Sequence, residues 1–321
     1  MVTSKKSFKG YLYLLPALIL LAVFTVWPLI NTTRVAFLNG YQMMAELGGT
    51  TYEFGIENFK FLFTNALLKK LFFLALKNVA IVCFITVPVS TLLALFISVC
   101  LNNVGKIGKV LQSIYFLPYV TNSLAIGMVF AMMFSVSGVG IGTDNPNYFS
   151  IGIINNIISV FNPSIKENPI FWIAPDLSSY SNNIFVLCVY SIWNALPFKI
   201  LILLGSLQSV NKNYYDAAKV DGASKSTVFW KITVPMLSPT IAYLIITGFI
   251  GAFKEYSSVV GIFGEAAAMG KSGQMVTMVG IVQRFLKDYQ GYASAAAICL
   301  FVIILLITLV QLQVQKKRVH Y

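Results

Sequence analysis

The chain has 321 residues, of which 57% are hydrophobic and only 11% are charged, and its mean hydropathy is +0.77. Soluble domains carry about 25% charged residues, so this composition excludes an ordinary soluble protein and indicates a membrane protein with several spans. The net charge of +12 would also suit a nucleic-acid partner, but the basic residues lie in short segments beside apolar runs, as the positive-inside rule predicts.

Six apolar runs are long enough to cross a bilayer. Because the runs are continuous and not alternating, we predict helices and not the strands of a β-barrel. The first run is too long for a typical signal peptide and lacks a convincing cleavage site, so we expect it to remain as the first span. Pro88 in the second run predicts a kink. The six runs cover roughly Tyr11–Ile30, Leu71–Leu101, Leu111–Phe134, Ile184–Leu207, Met236–Tyr256 and Tyr292–Val314.

The distribution of charge gives the expected orientation. The segments predicted to be cytoplasmic hold twelve basic residues and two acids, whereas the segments predicted to be external, together with the adjoining Lys70, hold eight of each. Since Lys and Arg accumulate on the cytoplasmic side, we predict an all-α polytopic membrane protein with six transmembrane helices and both termini in the cytoplasm. The cytoplasmic basic residues are Lys5, Lys6, Lys9, Lys106, Lys109, Lys212, Lys219, Lys225, Lys231, Lys316, Lys317 and Arg318.

Three longer segments are predicted to be external: 31–69, 135–183 and 257–288. The second is rich in Gly, Asn, Ser and Pro, as is typical of a loop, and Ile151–Phe161 within it could form a short surface helix. The third is rich in Gly and Ala and is predicted as a loop.

The longest polar interruption with a regular pattern is Tyr214–Pro239, between the fourth and fifth spans. Asn211 and Asn213 are candidate N-caps for a first helix, Gly222 interrupts that helix, and Ser224 can cap a second helical piece. Pro235 and Pro239 mark the return to the membrane. The pattern predicts a helix, a turn, a second helix and a bend.

This stretch, DAAKVDGASKSTVFWKITVPMLSP, resembles the cytoplasmic signature loop of bacterial ABC-importer permeases. That loop reads EAA, then a glycine four residues after the second alanine, then I-x-L-P. Asp216 stands here for the usual Glu and Val234 for the usual Leu. The segments VDGAS, KITVPMLSP, IYFLPYV, LGSLQSV and GYASAAA are similar to the carbohydrate-uptake branch, the maltose-type and glycerol-phosphate-type permeases. The positions that the resemblance assigns to ATPase coupling are Asp216, Ala217, Ala218, Asp221, Gly222, Ile232 and Pro235.

The resemblance implies a division of labour. The chain, a single permease domain over residues 1–321 with its core at roughly residues 70–314, would form the pathway in the bacterial cell membrane, usually as a heterodimer with a second permease. Cytoplasmic ATPase subunits would bind the coupling helix between the fourth and fifth spans. An external solute-binding lipoprotein would deliver a sugar or sugar derivative. The chain itself would be no enzyme, would need no cofactor and would have no nucleic-acid partner.

Polar and charged residues inside the predicted spans are candidates for the solute pathway, because such groups usually face a cavity or a partner. Trp193, Asn194 and Lys199 lie inside the fourth span, and Lys254 and Glu255 lie near the external end of the fifth. A sugar is held by hydrogen bonds and an aromatic face, which these side chains could supply. Trp193 and Asn194 are adjacent, so at most one points straight inward.

An ion- or proton-coupled secondary transporter, or an ion channel, is the alternative from another class. Such a protein needs buried acids for its coupling ions, and Glu255 alone is available; no inverted repeat is evident. An enzyme is disfavoured because the sequence has no Cys/His pair, HExxH motif or serine elbow. The one histidine, His320, and the four cysteines lack metal-ligand spacing.

Overall fold

A computed structural model describes residues 5–102, 104, 106–139, 141, 147–174 and 177–318, and this part of the chain is mostly helical. Strands β1 Ser137–Val139 and β2 Asn147–Ser150 pair in antiparallel fashion. In chain order the α-helices are α1 Lys5–Leu21, α2 Trp27–Ala36, α3 Met43–Leu47, α4 Glu57–Thr64, α5 Ala66–Asn102, α6 Lys106–Val120, α7 Ser123–Phe134, α8 Gly152–Phe161, α9 Tyr180–Ser209, α10 Lys212–Val220, α11 Lys225–Val228, α12 Val234–Met236, α13 Ser238–Phe253, α14 Ser257–Phe263, α15 Glu265–Ala268, α16 Met278–Leu286 and α17 Gln290–Arg318.

Four of the helical segments are long and apolar enough to cross a membrane by themselves: Tyr11–Ala36, α5, α9 and Gln290–Lys316. The first of them is α1 and α2 joined through a π-helical turn at Ala22–Val26. Two further pairs of helices reach the required length only if each bent pair is taken as one span, so the described residues contain four to six candidate spans. These candidate spans confirm the prediction of a helical membrane protein with several spans.

The third apolar run, expected at Leu111–Phe134, is two helices and not one. Its parts, Val110–Val120 and Ser123–Phe134, meet at an angle of 94°. The break lies at Thr121 and Asn122, three residues after Pro118. Asn122 has an extended backbone, and its side chain accepts a hydrogen bond of 2.8 Å from the Leu124 amide, so it caps α7. A capped helix start in the middle of the run explains why the helix does not continue.

The bend predicted after the second helical piece is present at the start of the fifth run. Lys225–Met236 meets Ser238–Phe253 at 66°, after a π-helical turn at Phe229–Thr233.

The external segments also differ from the prediction. Helix α8 confirms the short helix expected at Ile151–Phe161, but the segment 257–288, expected as a loop, contains α14, α15 and α16.

The chain divides into two compact units. The first comprises the residues up to Lys70 together with Ile281–Val302. At its centre the fully buried Asn58 side chain donates hydrogen bonds to the carbonyls of Ala36 at 3.0 Å and Leu38 at 2.7 Å. The same side chain accepts a bond of 3.0 Å from the Gly40 amide, so one amide group fixes the turn that follows α2.

The second unit, Leu71–Gly280 with the residues after Val302, contains α5 to α15 and holds the candidate site. Helix α9 passes through two apolar clusters of this unit, where Tyr190 and Leu203 are fully buried. Helices α7 and α14 pack backbone against backbone, because a Cβ atom on Gly127 would lie only 2.9 Å from the Cα of Gly261. Small residues allow such close approach of helices in membrane proteins.

Candidate functional site

A cavity of about 350 Å³ lies inside the second unit. Its walls are formed by the middle of α5, α9 and α13. Tyr119 and Ser123 at the bend between α6 and α7 line it as well, as do Met275, Val276 and Thr277. The bend in the third apolar run therefore supplies part of the wall. Three of the predicted pathway residues, Asn194, Lys199 and Glu255, line this cavity.

Asn194 has a polar side chain that is available to a bound molecule. It is half-buried in the cavity wall, and within the described part of the chain its amide makes no hydrogen bond to protein. On the same wall the rings of Tyr119 and Phe198 stack with their centroids 5.6 Å apart and an interplanar angle of 18°. A free amide beside aromatic rings is the arrangement expected for a polar, uncharged ligand with apolar faces.

Lys199 is buried, with 4% of its surface exposed, and its ammonium group is fully hydrogen-bonded. It donates bonds to the hydroxyls of Ser90 at 2.7 Å and Thr91 at 2.8 Å. A third bond of 3.1 Å goes to the carbonyl of Val87, the residue before Pro88. Three donors therefore meet three oxygens of one turn of α5, which holds α9 against α5.

The two hydroxyls point their own protons away from Lys199. Ser90 Oγ donates to the Thr86 carbonyl, and Thr91 Oγ1 donates to the Val87 carbonyl at 2.7 Å. Their lone pairs are thereby left for the ammonium group. Gly248 on α13 faces the same turn, where a Cβ atom would lie 3.0 Å from a methyl group of Val87. Nothing in the local sequence indicates these partners, which lie 108 to 112 residues from Lys199 along the chain.

Glu255 lies at the end of the cavity where α14 begins. One of its oxygens accepts hydrogen bonds from the Ser258 amide, at 3.1 Å, and from the Ser258 hydroxyl. Two other predicted pathway residues do not line the cavity. The Trp193 ring contacts the Phe130 ring with centroids 5.5 Å apart and an interplanar angle of 49°, and Lys254 is exposed at the C-terminus of α13.

Asn78 is a functional candidate that the sequence reasoning missed. Its buried side chain lines the cavity and donates hydrogen bonds to the carbonyls of Gln274 at 2.8 Å and Val276 at 3.0 Å. The side-chain oxygen of Asn78 accepts a third hydrogen bond, of 2.8 Å, from the Tyr180 hydroxyl. The signal that could have found it is a polar amide within the second apolar run. Asn78 fixes the segment 274–277 over the cavity.

The predicted coupling loop has the local structure that its sequence indicates. Asn211 caps α10 by accepting a hydrogen bond of 3.0 Å from the Asn213 amide. Ser224 caps α11 by accepting one of 3.2 Å from the Thr227 amide. Between the two helices Gly222 has φ +69°, a left-handed backbone that favours glycine.

Most of the predicted coupling residues are on the surface of this loop. Asp216 forms an exposed ion pair of 3.1 Å with Lys219, and Ala217 and Gly222 are also exposed. Ala218 is buried beneath them. The hydroxyl of Tyr215 lies 3.5 Å from that of Thr233, which links α10 to the following helical segment. Asp221 and Pro235 are exposed and Ile232 is half-buried.

Comparison with known proteins gives consistent similarities over nearly the whole chain. A lactose transport system permease protein, LacF of Rhizobium radiobacter, is 27% identical over 313 residues, which are 95% of this chain and 94% of that protein. A trehalose/maltose transport system permease protein, MalF of Thermococcus litoralis, is 26% identical over 321 residues, or 99% and 98% of the two chains.

A crystal structure of a bacterial ABC transporter involved in the import of the acidic polysaccharide alginate has a similar fold. Its TM-score is 0.71, with 21% sequence identity and 98% of each chain covered. The protein family described as "Binding-protein-dependent transport system inner membrane component" matches residues 86–320. Since this match covers well over half of the sequence, the chain belongs to the family of inner membrane components of binding-protein-dependent transport systems.

Proposed function

We propose that this chain is one permease subunit of a bacterial ATP-driven importer that carries a sugar or sugar derivative. The observation that carries the proposal is the cavity. On one of its walls the amide of Asn194, which has no hydrogen-bond partner among the described residues, lies with the stacked rings of Tyr119 and Phe198. Hydrogen-bonding groups and aromatic faces together suit a sugar. The names of the lactose and trehalose/maltose relatives support the same class of solute.

The proposed arrangement in the membrane has six spans and both termini in the cytoplasm. Each bent pair of helices then counts as one span, and the short segments rich in Lys lie on the cytoplasmic side. Residues 1–321 form one permease domain with its core at roughly residues 70–314. The loop with α10 and α11 lies in the cytoplasm, and the cavity forms part of the pathway.

Energy for transport comes from separate ATPase subunits that bind α10 and the turn after it. The ATPase-facing group comprises Ala217, Asp216 with its Lys219 partner, Asp221 and Gly222, while the buried Ala218 fixes the helix on the permease. Nucleotide binding can drive transport only if it favours one permease conformation over another. A short helix with defined caps at Asn211 and Ser224 can transmit that bias because it moves as one piece.

The remaining partners are a second permease, which completes the pathway as a heterodimer, and an external solute-binding lipoprotein. Within the cavity Asn194 contacts the solute, and Glu255 lines the end of the path next to α14. Lys199 lines the wall, but its three donors are already used, so it supports the pathway and does not bind the solute directly. Trp193 and Lys254 lie outside the cavity wall and contribute at most to contacts with the partner subunits.

Uptake of a panel of labelled sugars tests the proposal. Cells that lack the gene should lose uptake of one sugar class, and the unmodified chain should restore it. Uptake should stop when ATP is depleted. Uptake that instead follows the ion gradient while ATP is held constant would favour an ion- or proton-coupled secondary transporter and would contradict the proposal.

A further inference from the structure

Helix α8, Gly152–Phe161, has its polar and apolar faces reversed relative to a helix on the surface of a soluble protein. Its buried side chains include Asn155 at 1% exposure and Ser159 at 6%. A water-facing helix normally turns its apolar stripe inward. The outward face of α8 is instead apolar, and its exposed fractions are Ile153 53%, Ile157 55%, Val160 77% and Phe161 86%.

The inward face is fixed by specific hydrogen bonds. The Asn155 amide nitrogen donates to the Ile170 carbonyl at 3.0 Å, and the Asn155 oxygen accepts from the Trp172 indole nitrogen at 3.1 Å. Ser159 donates to the Asn156 carbonyl at 2.8 Å. Because these bonds satisfy the buried polar groups, the orientation of α8 is set by the protein, and the apolar face cannot turn inward without breaking them.

The neighbours of α8 place it at the level where α7 ends and the candidate span α9 begins. At its N-terminus a Cβ atom on Gly152 would overlap the Ser135 carbonyl, one residue beyond the end of α7. The Trp172 ring that holds Asn155 lies 5.6 Å from the ring of Phe185, in the second turn of α9. It also lies 5.8 Å from the ring of Phe134, the last residue of α7.

Exposed apolar side chains of the neighbouring helices α7 and α9 accompany the apolar face of α8. Phe185 is 50% exposed and Met132 on α7 is 72% exposed. The outward face of α8 carries no charged group, which a specific protein interface would use for orientation. Its exposed polar side chain, Asn156, donates a hydrogen bond of 2.9 Å back to the Gly152 carbonyl of the same helix. Tryptophan concentrates where the hydrocarbon core meets water, so the contacts of Trp172 with Phe134 and Phe185 favour that boundary as the level of this segment.

We propose that α8 lies at the boundary of the bilayer with Ile153, Ile157, Val160 and Phe161 in the lipid. The helix then lies at the membrane interface in a fixed orientation, and it connects the end of α7 with the start of α9. This inference goes beyond the transport of a solute, since it depends only on the chain being a membrane protein. It differs from an ordinary interfacial helix in that the polar face binds protein and not water.

Site-specific fluorescence in nanodiscs, with the full chain in the assembled transporter, tests the proposal. The native Cys83, Cys100, Cys188 and Cys299 are first replaced by alanine, and an environment-sensitive dye is attached to Ile157→Cys or Val160→Cys. The matched control is Glu167→Cys, an exposed polar position a few residues later in the same segment. Lipids with brominated chains should quench the dye at 157 and 160 severalfold more than at 167, and iodide in the water should show the opposite order.

Two results would overturn the proposal. Equal quenching by iodide at 157, 160 and 167 would mean that the face meets water. Protection of 157 and 160 from both quenchers would mean that another protein covers it. A photo-crosslinking amino acid at Val160 in the chain with all native cysteines gives a second, independent measurement. Crosslinks to lipid support the proposal, and a crosslink to another subunit contradicts it. Neither result depends on which solute is carried.

Discussion

Lys199 is a buried cation that meets only uncharged oxygens in the described structure. Removing the Ser90 and Thr91 hydroxyls, in Ser90→Ala with Thr91→Val, leaves two ammonium protons without partners. Hydrogen bonds to charged groups contribute about 1.5–3 kcal/mol each, so we expect a loss of stability of about 2–4 kcal/mol, since water in the cavity replaces part of the lost bonding. The melting temperature of the purified chain in detergent measures this loss of stability.

The triple variant with Lys199→Met provides the control. Without the charge there is no ammonium group to leave unpaired, so the triple variant should be more stable than the double variant. Lys199→Met alone should be mild, because both hydroxyls keep their bonds to the Thr86 and Val87 carbonyls. A triple variant that is less stable than the double variant would show that the three oxygens do not hold the cation.

Asn194 offers a test of the pathway at the same scale. Its amide makes no protein hydrogen bond in the part of the chain that the structure describes, so Asn194→Ala should not change the melting temperature. Loss of one hydrogen bond to the solute, about 1–1.5 kcal/mol, should raise the KM of uptake about tenfold. The adjacent Trp193→Phe should leave KM unchanged because Trp193 does not line the cavity. The opposite pattern would exclude this cavity from the pathway.

Roles that depend on nearby residues could be predicted from the sequence, whereas roles that depend on contacts between distant parts of the chain could not. Ser224 and, of the two candidates for the first helix, Asn211 are caps, because a cap depends on residues two or three positions away. The other candidate, Asn213, instead donates its amide to Asn211. The depth of Lys199 was also predicted. Its partners were not, since Ser90 and Thr91 come from another helix and nothing in their local sequence marks them. Trp193 and Asn194 illustrate the same limit, as only the fold decides which of two adjacent residues faces a cavity.

At the scale of the element, the turn after α10 carries a prediction about coupling. Gly222 has φ +69° and no atom within 4 Å of a Cβ, so Gly222→Ala adds backbone strain of about 1–2 kcal/mol without a clash. If the turn docks an ATPase, retention of the ATPase on the purified permease should fall severalfold, and uptake should fall with it.

Gly273 is the matched control for that experiment. It has φ +65° and also has no atom within 4 Å of a Cβ, but it lies in the segment between α15 and α16. Gly273→Ala therefore adds the same kind of strain at a position outside the loop. If both variants lose the ATPase equally, general destabilisation explains the effect and the docking role of the turn is wrong.

Elements with strong caps and periodicity were predicted well, and elements set by packing were not. Helix α5 was expected at Leu71–Leu101 and runs over Ala66–Asn102. The 94° bend in the third run was missed because hydropathy does not distinguish one long helix from two short ones, although Asn122 before an apolar run is a cap signal. Helix α14 was missed because its close packing through Gly261 against Gly127 of α7 is a tertiary contact.

For the whole molecule, the two bends decide how the chain crosses the membrane. If each bent pair crosses, there are six spans; if each returns to the side from which it came, there are four. Both numbers are even, so both place the termini on the same side, and a tag at either end cannot separate them. The segments that lie between the two bent pairs can distinguish the arrangements. With four spans, each of these segments lies on the opposite side of the membrane from its position with six spans.

Accessible cysteines at two exposed positions therefore give a decisive measurement. With six spans, Glu167→Cys lies outside and Lys225→Cys lies in the cytoplasm, in agreement with the excess of basic residues around α10. A membrane-impermeant maleimide added to intact cells should label 167 at once and 225 only after the membrane is permeabilised. The parent chain with its native cysteines gives the background. The reverse order at both positions would establish four spans and would place α10 outside, where no cytoplasmic ATPase could bind it.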